Sequence, residues 1–198
     1  MSQLRMIFNA AATPLPSLSL PAGFRLRTLT DQDLAQYNAL RQSAGFGEWD
    51  ENTLRSFQHK ALPGGWLLLE EAQSDRFAAS AAAESSDFPE YPGLGVLGWV
   101  MTSPDFRGRH LGRQVSIAAM HRLYAAGYRA FSLLTDDFRL PAIATYLKLS
   151  WRPWLYADDM EERWRKLAPQ LGTAFEHLQA YPREPLFPPP DPPHTLRA

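Results

Sequence analysis

Residues 95 to 112 read GVLGWVMTSPDFRGRHLG, and this stretch decides how the rest of the chain is arranged. Val96, Leu97, Trp99, Val100 and Met101 suit a buried strand, and Pro104 closes it. From Leu111 onward Val115, Ala118, Ala119 and Leu123 recur at helical intervals. The order is strand, loop, helix, which puts the glycine- and arginine-rich loop at a helix N-terminus. There the unpaired backbone N–H groups and the positive end of the helix dipole can hold an anion. Gly108 and Gly112 let that backbone come close to it without a Cβ in the way. Arg107, Arg109 and Arg113 add fixed charge and forked donors suited to phosphate oxygens. The physical chemistry points to an anion site of the pyrophosphate type; the alternative is an ordinary strand-to-helix turn with solvated arginines.

Working outward, a second pattern follows one strand later. Gly127 is a C-cap candidate, Arg129 to Thr135 reads as a strand, Asp136-Asp137 as a turn, and residues 138 to 149 as a helix with Pro141 in its first turn. Arg139, Ala142 and Tyr146 then lie along one line of that helix. Upstream, Phe24 to Leu29 alternates as a half-buried strand, and Thr30-x-x-Asp33 resembles a capping box opening a helix with Leu34, Tyr37, Leu40 and Ala44 inward. Asp50 is the cap expected for a second helix carrying Leu54, Phe57 and Ala61 inward, stopped by Pro63-Gly64. Trp66 to Glu70 is a short apolar strand, and Phe77 to Glu84 reads as its hairpin partner, although its five alanines leave helix open.

Gly95 and Gly98 inside the central strand cost stability unless a bulge or a close backbone approach needs them. Trp151 to Tyr156 reads as a further strand, Asp158 or Asp159 as the cap of a helix with Trp164, Leu167 and Ala168 inward, and Pro169 as the start of another with Leu171, Phe175 and Leu178. Four segments result: an N-terminal arm over 1–23 with an edge strand at Leu4 to Phe8, a main domain over 24–156, C-terminal helices over 157–181 packed on it, and a tail over 182–198. Seven of the 17 tail residues are proline, which excludes helix and central strand there.

Composition narrows the function. At 198 residues with 45% apolar side chains the chain holds one sizeable core. A formal net charge of −1 gives no steering toward nucleic acid or anionic lipid. The absence of cysteine excludes disulfides, thiolate zinc sites and a cysteine nucleophile. His59, His110, His121, His177 and His194 lack ligand spacing, so no metal site is read. No segment has the length of a signal-peptide core or a membrane span, and a cytoplasmic protein is expected.

The loop from Arg107 to Gly112 resembles motif A of the GNAT-type N-acetyltransferases, in which Gln/Arg-x-x-Gly-x-Gly/Ala wraps the pyrophosphate of coenzyme A. Arg107 and Gly112 match, and His110 stands where the family usually has glycine. The later helix resembles motif B, Asn-x-x-Ala-x-x-x-Tyr followed by Gly-Phe. Ala142 and Tyr146 match, while Arg139, Ser150 and Trp151 replace the asparagine, glycine and phenylalanine. The resemblance covers about residues 24–156. It implies a mixed α/β GNAT fold, with a mostly antiparallel sheet flanked by helices and splayed between the family's fourth and fifth strands. It implies acetyl-CoA as co-substrate, bound by the main chain of Trp99, Val100 and Met101 and by the loop Arg107, Gly108, Arg109, His110, Leu111, Gly112 and Arg113. Arg139 would meet a cofactor phosphate or pair with Asp136 or Asp137. The resemblance also admits a homodimer.

For the chemistry this implies direct attack of a small-molecule or peptide amine on the thioester, with no protein nucleophile needed. Tyr146 is the candidate donor to the leaving sulfur, the alternative being a tyrosine packed under the sheet. The central strand carries no carboxylate or histidine, so the base is sought among Glu84, Asp87 and Glu90 on the acceptor side, with Glu84 preferred over its reading as a solvated loop residue. A second hypothesis, a non-catalytic acyl-CoA sensor or interaction module, is motivated by His110 and Arg139. A third, a nucleotide-binding domain, lacks both Gly-Lys-Ser/Thr and Gly-x-Gly-x-x-Gly.

Overall fold

The hexapeptide Leu4–Asn9 is a strand, β1, whose Leu4, Met6, Ile7 and Phe8 are fully buried. In this computed structural model, which describes residues 2–86, 91 and 93–184, the elements after it are β2 (Phe24–Thr28), α1 (Leu34–Ser43), α2 (Glu51–Gln58), β3 (Ala61–Glu71), β4 (Phe77–Ser85), β5 (Leu94–Thr102), α3 (Leu111–Ala125), β6 (Ala130–Thr135), α4 (Leu140–Lys148), β7 (Arg152–Trp154) and α5 (Met160–Leu167). The sheet order is β2-β3-β4-β5-β6-β1-β7, and every pairing is antiparallel except β5 with β6.

β1 therefore corrects the expectation of an edge strand. It pairs with β6 on one side, Leu4 opposite Thr135, and with β7 on the other, Arg5 opposite Trp154. The reason lies in its composition: apolar side chains on both faces need cover on both faces, which an interior position supplies. The prolines of the arm all come after it, so none interrupts the ladder.

The core has two main clusters on the faces of the sheet and a third, smaller one of Ile7, Leu94, Ala130 and Trp154. α3, α4 and α5 bury Val115, Ala119, Leu123, Ile143 and Trp164 against one face, while α1 and α2 bury Tyr37, Leu40 and Leu54 against the other. Local signals hold for α1 and α2. Thr30 N–H donates to Asp33 Oδ2 at 2.7 Å ahead of α1, and Asp50 Oδ1 accepts from Thr53 N–H at 2.7 Å to cap α2. α2 ends at Gln58, however, and Ala61 already belongs to β3. The alanine-rich Phe77–Ser85 is a strand, all but its last residue buried, as small side chains between two covered faces permit. The helix expected from Pro169 is replaced by two short 3-10 turns, Pro169–Leu171 and Phe175–Leu178. Gly172 interrupts them with φ +72°, a conformation that ends a helix. Asp87, Glu90 and the tail beyond Glu184 lie outside the described residues.

Candidate active site

β5 and β6 run parallel and pair only over Leu94 with Ala130, Gly95 with Phe131 and Val96 with Ser132. Beyond Val96 the strands part. On its other side β5 carries one extra residue against β4, because Ala82 opposes Gly98 while Ser80 already opposes Met101. Trp99 sits in this bulge with φ +50°, and its carbonyl accepts a hydrogen bond from Ser80 Oγ at 3.0 Å. The glycines serve close approach instead: a Cβ at Gly95 would stand 2.7 Å from Leu123 Cδ2 of α3. That contact seats α3 against β5 and brings its N-terminus to the end of the strand.

Between β5 and α3 a short turn, Pro104–Phe106, leads into the loop. Gly108 (φ +78°) and His110 (φ +58°) take left-handed conformations on either side of Arg109 and curl the chain back on itself. His110 is the N-cap residue of α3, and no side chain caps the helix. The first bond of its ladder is Gln114 N–H to the His110 carbonyl, 3.1 Å, so the amides of Leu111, Gly112 and Arg113 remain for an outside acceptor. A Cβ at Gly112 would meet Thr102 Oγ1 at 2.7 Å, so the small residue sets how near the helix start lies to β5. No ion pair joins Arg107 or Arg113 to another described residue.

Two hollows meet at the split. The larger, about 760 Å³, runs between Val100–Thr102 and α4 and is lined at one end by Arg107, Gly108, His110, Leu111, Gly112 and Arg113. The smaller, about 310 Å³, opens on the other side of β5 and is lined by Glu84, Gly98, Trp99, Phe57, Lys60 and Asp136 among others. Both are lined by Phe46, Val100, Arg139, Ala142 and Tyr146, so Tyr146 stands where they join. Its ring is 6% exposed, and burial pushes the hydroxyl well above its usual pKa against the opposing influence of the Arg139 cation. Glu84 is 9% exposed and its carboxylate lies over Gly98.

Most of the residues singled out in the sequence thus stand around the two hollows. The Arg109 side chain lines neither hollow: its guanidinium lies 5.8 Å and 5.7 Å from the rings of Phe24 and Phe106 and 4.0 Å from Glu71. The left-handed residues beside it turn it outward. Trp99 lines the smaller hollow with its carbonyl accepting from Ser80 Oγ, Val100 lines both hollows and Met101 lines the larger. Arg139 lines both hollows and pairs with Asp136, its Nε 3.0 Å from Asp136 Oδ2 and its guanidinium 4.8 Å from the Phe46 ring.

Sequence reasoning missed Gln3, Phe46 and Lys60 in the lining. Gln3 Nε2 donates to Asp136 Oδ1 at 3.1 Å, a contact that exists only because β1 lies beside β6. Phe46 lies between two glycines that read only as a helix stop. Among the described residues no cluster of three or more His, Asp or Glu is placed to hold a metal, and no helix is long and apolar enough to cross a membrane.

A sheet that opens between parallel strands over an uncapped helix start, with a second hollow behind the opening, defines a mixed α/β protein with two joined hollows at the split. The chain belongs to the acetyltransferase (GNAT) family, whose sequence model matches residues 29–151. A mycothiol acetyltransferase of Thermobispora bispora is 30% identical over 154 residues, 72% of this chain and 51% of that protein. The chain spans about half the length of the curated relatives it matches. In fold it is similar to a GCN5-related N-acetyltransferase from Sphaerobacter thermophilus, with TM-score 0.61, 19% identity and coverage of 77% of this chain and 49% of that one. It is also similar to a phosphinothricin acetyltransferase from Sinorhizobium meliloti solved in complex with AcCoA, with TM-score 0.55, 20% identity and coverage of 64% and 74%.

Proposed function

We propose that the protein is an acetyl-CoA-dependent N-acetyltransferase whose acceptor is a primary amine. The observation that carries this reading is the meeting of the two hollows at Tyr146, one ending in an anion loop and the other holding a carboxylate. The residues present fit the co-substrate. The amides at the start of α3 and the Arg107 and Arg113 side chains would hold its diphosphate, and the groove past Val100 and Met101 would take its pantetheine arm. When bound, acetyl-CoA supplies an acyl carbon activated toward nitrogen by a thiolate leaving group. The chain's residues do the rest. The split strands align the amine with that carbon, and such positioning lowers the barrier without a covalent enzyme intermediate. Glu84 accepts a proton from the incoming ammonium, and Tyr146, kept protonated by its burial, donates to the departing sulfur.

The relatives named for mycothiol favour a small molecule as acceptor. The net charge of −1 leaves nucleic acid and membrane out of the partner set, and the cytoplasm is the compartment proposed. The test is a calorimetric titration of acetyl-CoA and free CoA, with Arg107→Ala as control. Micromolar binding weakened about tenfold or more by the substitution supports the loop assignment, a charge-assisted phosphate contact being worth roughly 1.5–3 kcal/mol. Absence of binding to either ligand overturns it, and binding without turnover of any amine would leave an acyl-CoA sensor in its place.

A further inference from the structure

Among the described residues, the lining of the smaller hollow is balanced in charge and walled by rings. Two carboxylates, Glu84 and Asp136, face two cations, Lys60 and Arg139. Asp136 bonds Arg139 and Gln3, at 3.0 and 3.1 Å, and Glu84 lies deeper, against the bare backbone of Gly98. Opposite stand Phe46, Phe57 and Trp99, with Phe57 and Trp99 edge to face at 4.9 Å. Behind this wall Trp49 stacks on Phe57 at 4.5 Å with 5° between the planes, and the guanidinium of the buried Arg41 lies 3.7 Å from the Trp49 ring centre. A cation already held on the far side of the stack draws its π density away from the hollow, so the wall suits an uncharged body better than a second cation.

On the transferase reading above, we infer that the acceptor is a primary monoamine carried on an apolar or aromatic body, such as an arylalkylamine. The rings take the body, and Glu84 takes the ammonium. A polyamine or a lysine-rich peptide would bring further cations beside Lys60 and Arg139, and an amino sugar would set part of its hydroxyls against the rings. In the transfer the amine nitrogen bonds to the acetyl carbon as the carbon–sulfur bond breaks. Of the two protons the ammonium loses, one ends on the sulfur and the other leaves through Glu84 to solvent.

The experiment compares phenethylamine, spermidine, glucosamine and a lysine-containing peptide in acetyl-CoA-dependent thiol release. Calorimetry of phenethylamine on the CoA-loaded protein accompanies it. The expected result is a kcat/KM for phenethylamine at least about tenfold above the other three, with Phe57→Ala raising its KM about tenfold, within the range an apolar pocket contact supplies. The acetyl-CoA affinity of that variant should stay unchanged, which shows that it is folded. Equal or better turnover of spermidine, glucosamine or the peptide overturns the inference, as does phenethylamine that neither binds nor reacts. Failure of acetyl-CoA itself to bind would fell the transferase reading first and this inference with it.

Discussion

The carboxylate of Glu84 lies directly against the α-carbon of Gly98: a methyl group built there would stand 2.5 Å from Oε2 and 3.1 Å from Cδ. The glycine in the central strand is therefore the seat of the proposed base. Gly98→Ala meets the far end of a flexible side chain, so the carboxylate can swing aside, and the expected loss of stability is about 1 kcal/mol. The displaced base should cost more in rate than in stability. We expect kcat to fall about 100-fold, the low end of the contribution of a positioned acid or base, with acetyl-CoA affinity unchanged. Stopped-flow thiol release on Gly98→Ala and Glu84→Gln checks this. A Gly98→Ala enzyme at wild-type kcat would detach Glu84 from the chemistry.

Tyr146 lines both hollows and is nearly buried. Tyr146→Phe keeps the ring and removes the donor, so kcat should drop about 100-fold while the acetyl-CoA Kd stays within about twofold. Burial raises the hydroxyl above its ordinary pKa of roughly 10, so the protonated, donating form persists through neutral and mildly alkaline pH. The kcat–pH profile should accordingly show no alkaline fall below about pH 10 that disappears in Tyr146→Phe. A limb in that range that the substitution abolishes would contradict the placement of this proton.

His110 holds φ +58° at the N-cap of the helix that follows the loop, where a side chain is strained. Left-handed backbone costs an L-residue about 1 kcal/mol, part of which glycine gives back as unfolded-state entropy. His110→Gly should therefore raise stability by about 0.5 kcal/mol and leave CoA binding as tight or tighter, measured by chemical denaturation and calorimetry. His110→Val, with branching at Cβ, should lose more than 1 kcal/mol. If His110→Gly binds CoA more weakly, the imidazole itself contacts the ligand.

These relationships divide by how local their causes are. The order of the loop's elements was legible because strand, proline, glycine–arginine turn and helix follow one another within 18 residues, and each is set by its own composition. The glycines at 95 and 98 signalled an irregular strand, but the extra residue is Trp99, and the glycines are spent on Leu123 and Glu84 instead. Which neighbour crowds a Cα is a tertiary fact. The place of β1 was illegible for the same reason: an apolar hexapeptide looks alike at an edge and in the middle, and only pairing with residues 130–135 and 152–154 decides. Gln3 entered the site through that pairing alone.

Gly112 and Thr102 give the sharpest test of the loop. A Cβ at Gly112 would stand 2.7 Å from Thr102 Oγ1, so Gly112→Ala must push the first turn of α3 away from β5 or turn the threonine. Alanine also favours the helix by about 1 kcal/mol over glycine, which offsets a clash of about 1–3 kcal/mol, so net stability should change little. The amides of residues 111–113, however, are held in place by that close approach. Their displacement should weaken acetyl-CoA binding about tenfold. Thr102→Ala removes the crowding oxygen, and the double variant Gly112→Ala/Thr102→Ala should recover most of the affinity, a coupling that two independent substitutions would not show. A double variant that binds as weakly as Gly112→Ala alone would mean that the helix-to-strand spacing does not set the anion site, and that the glycine serves the ligand by its own missing side chain.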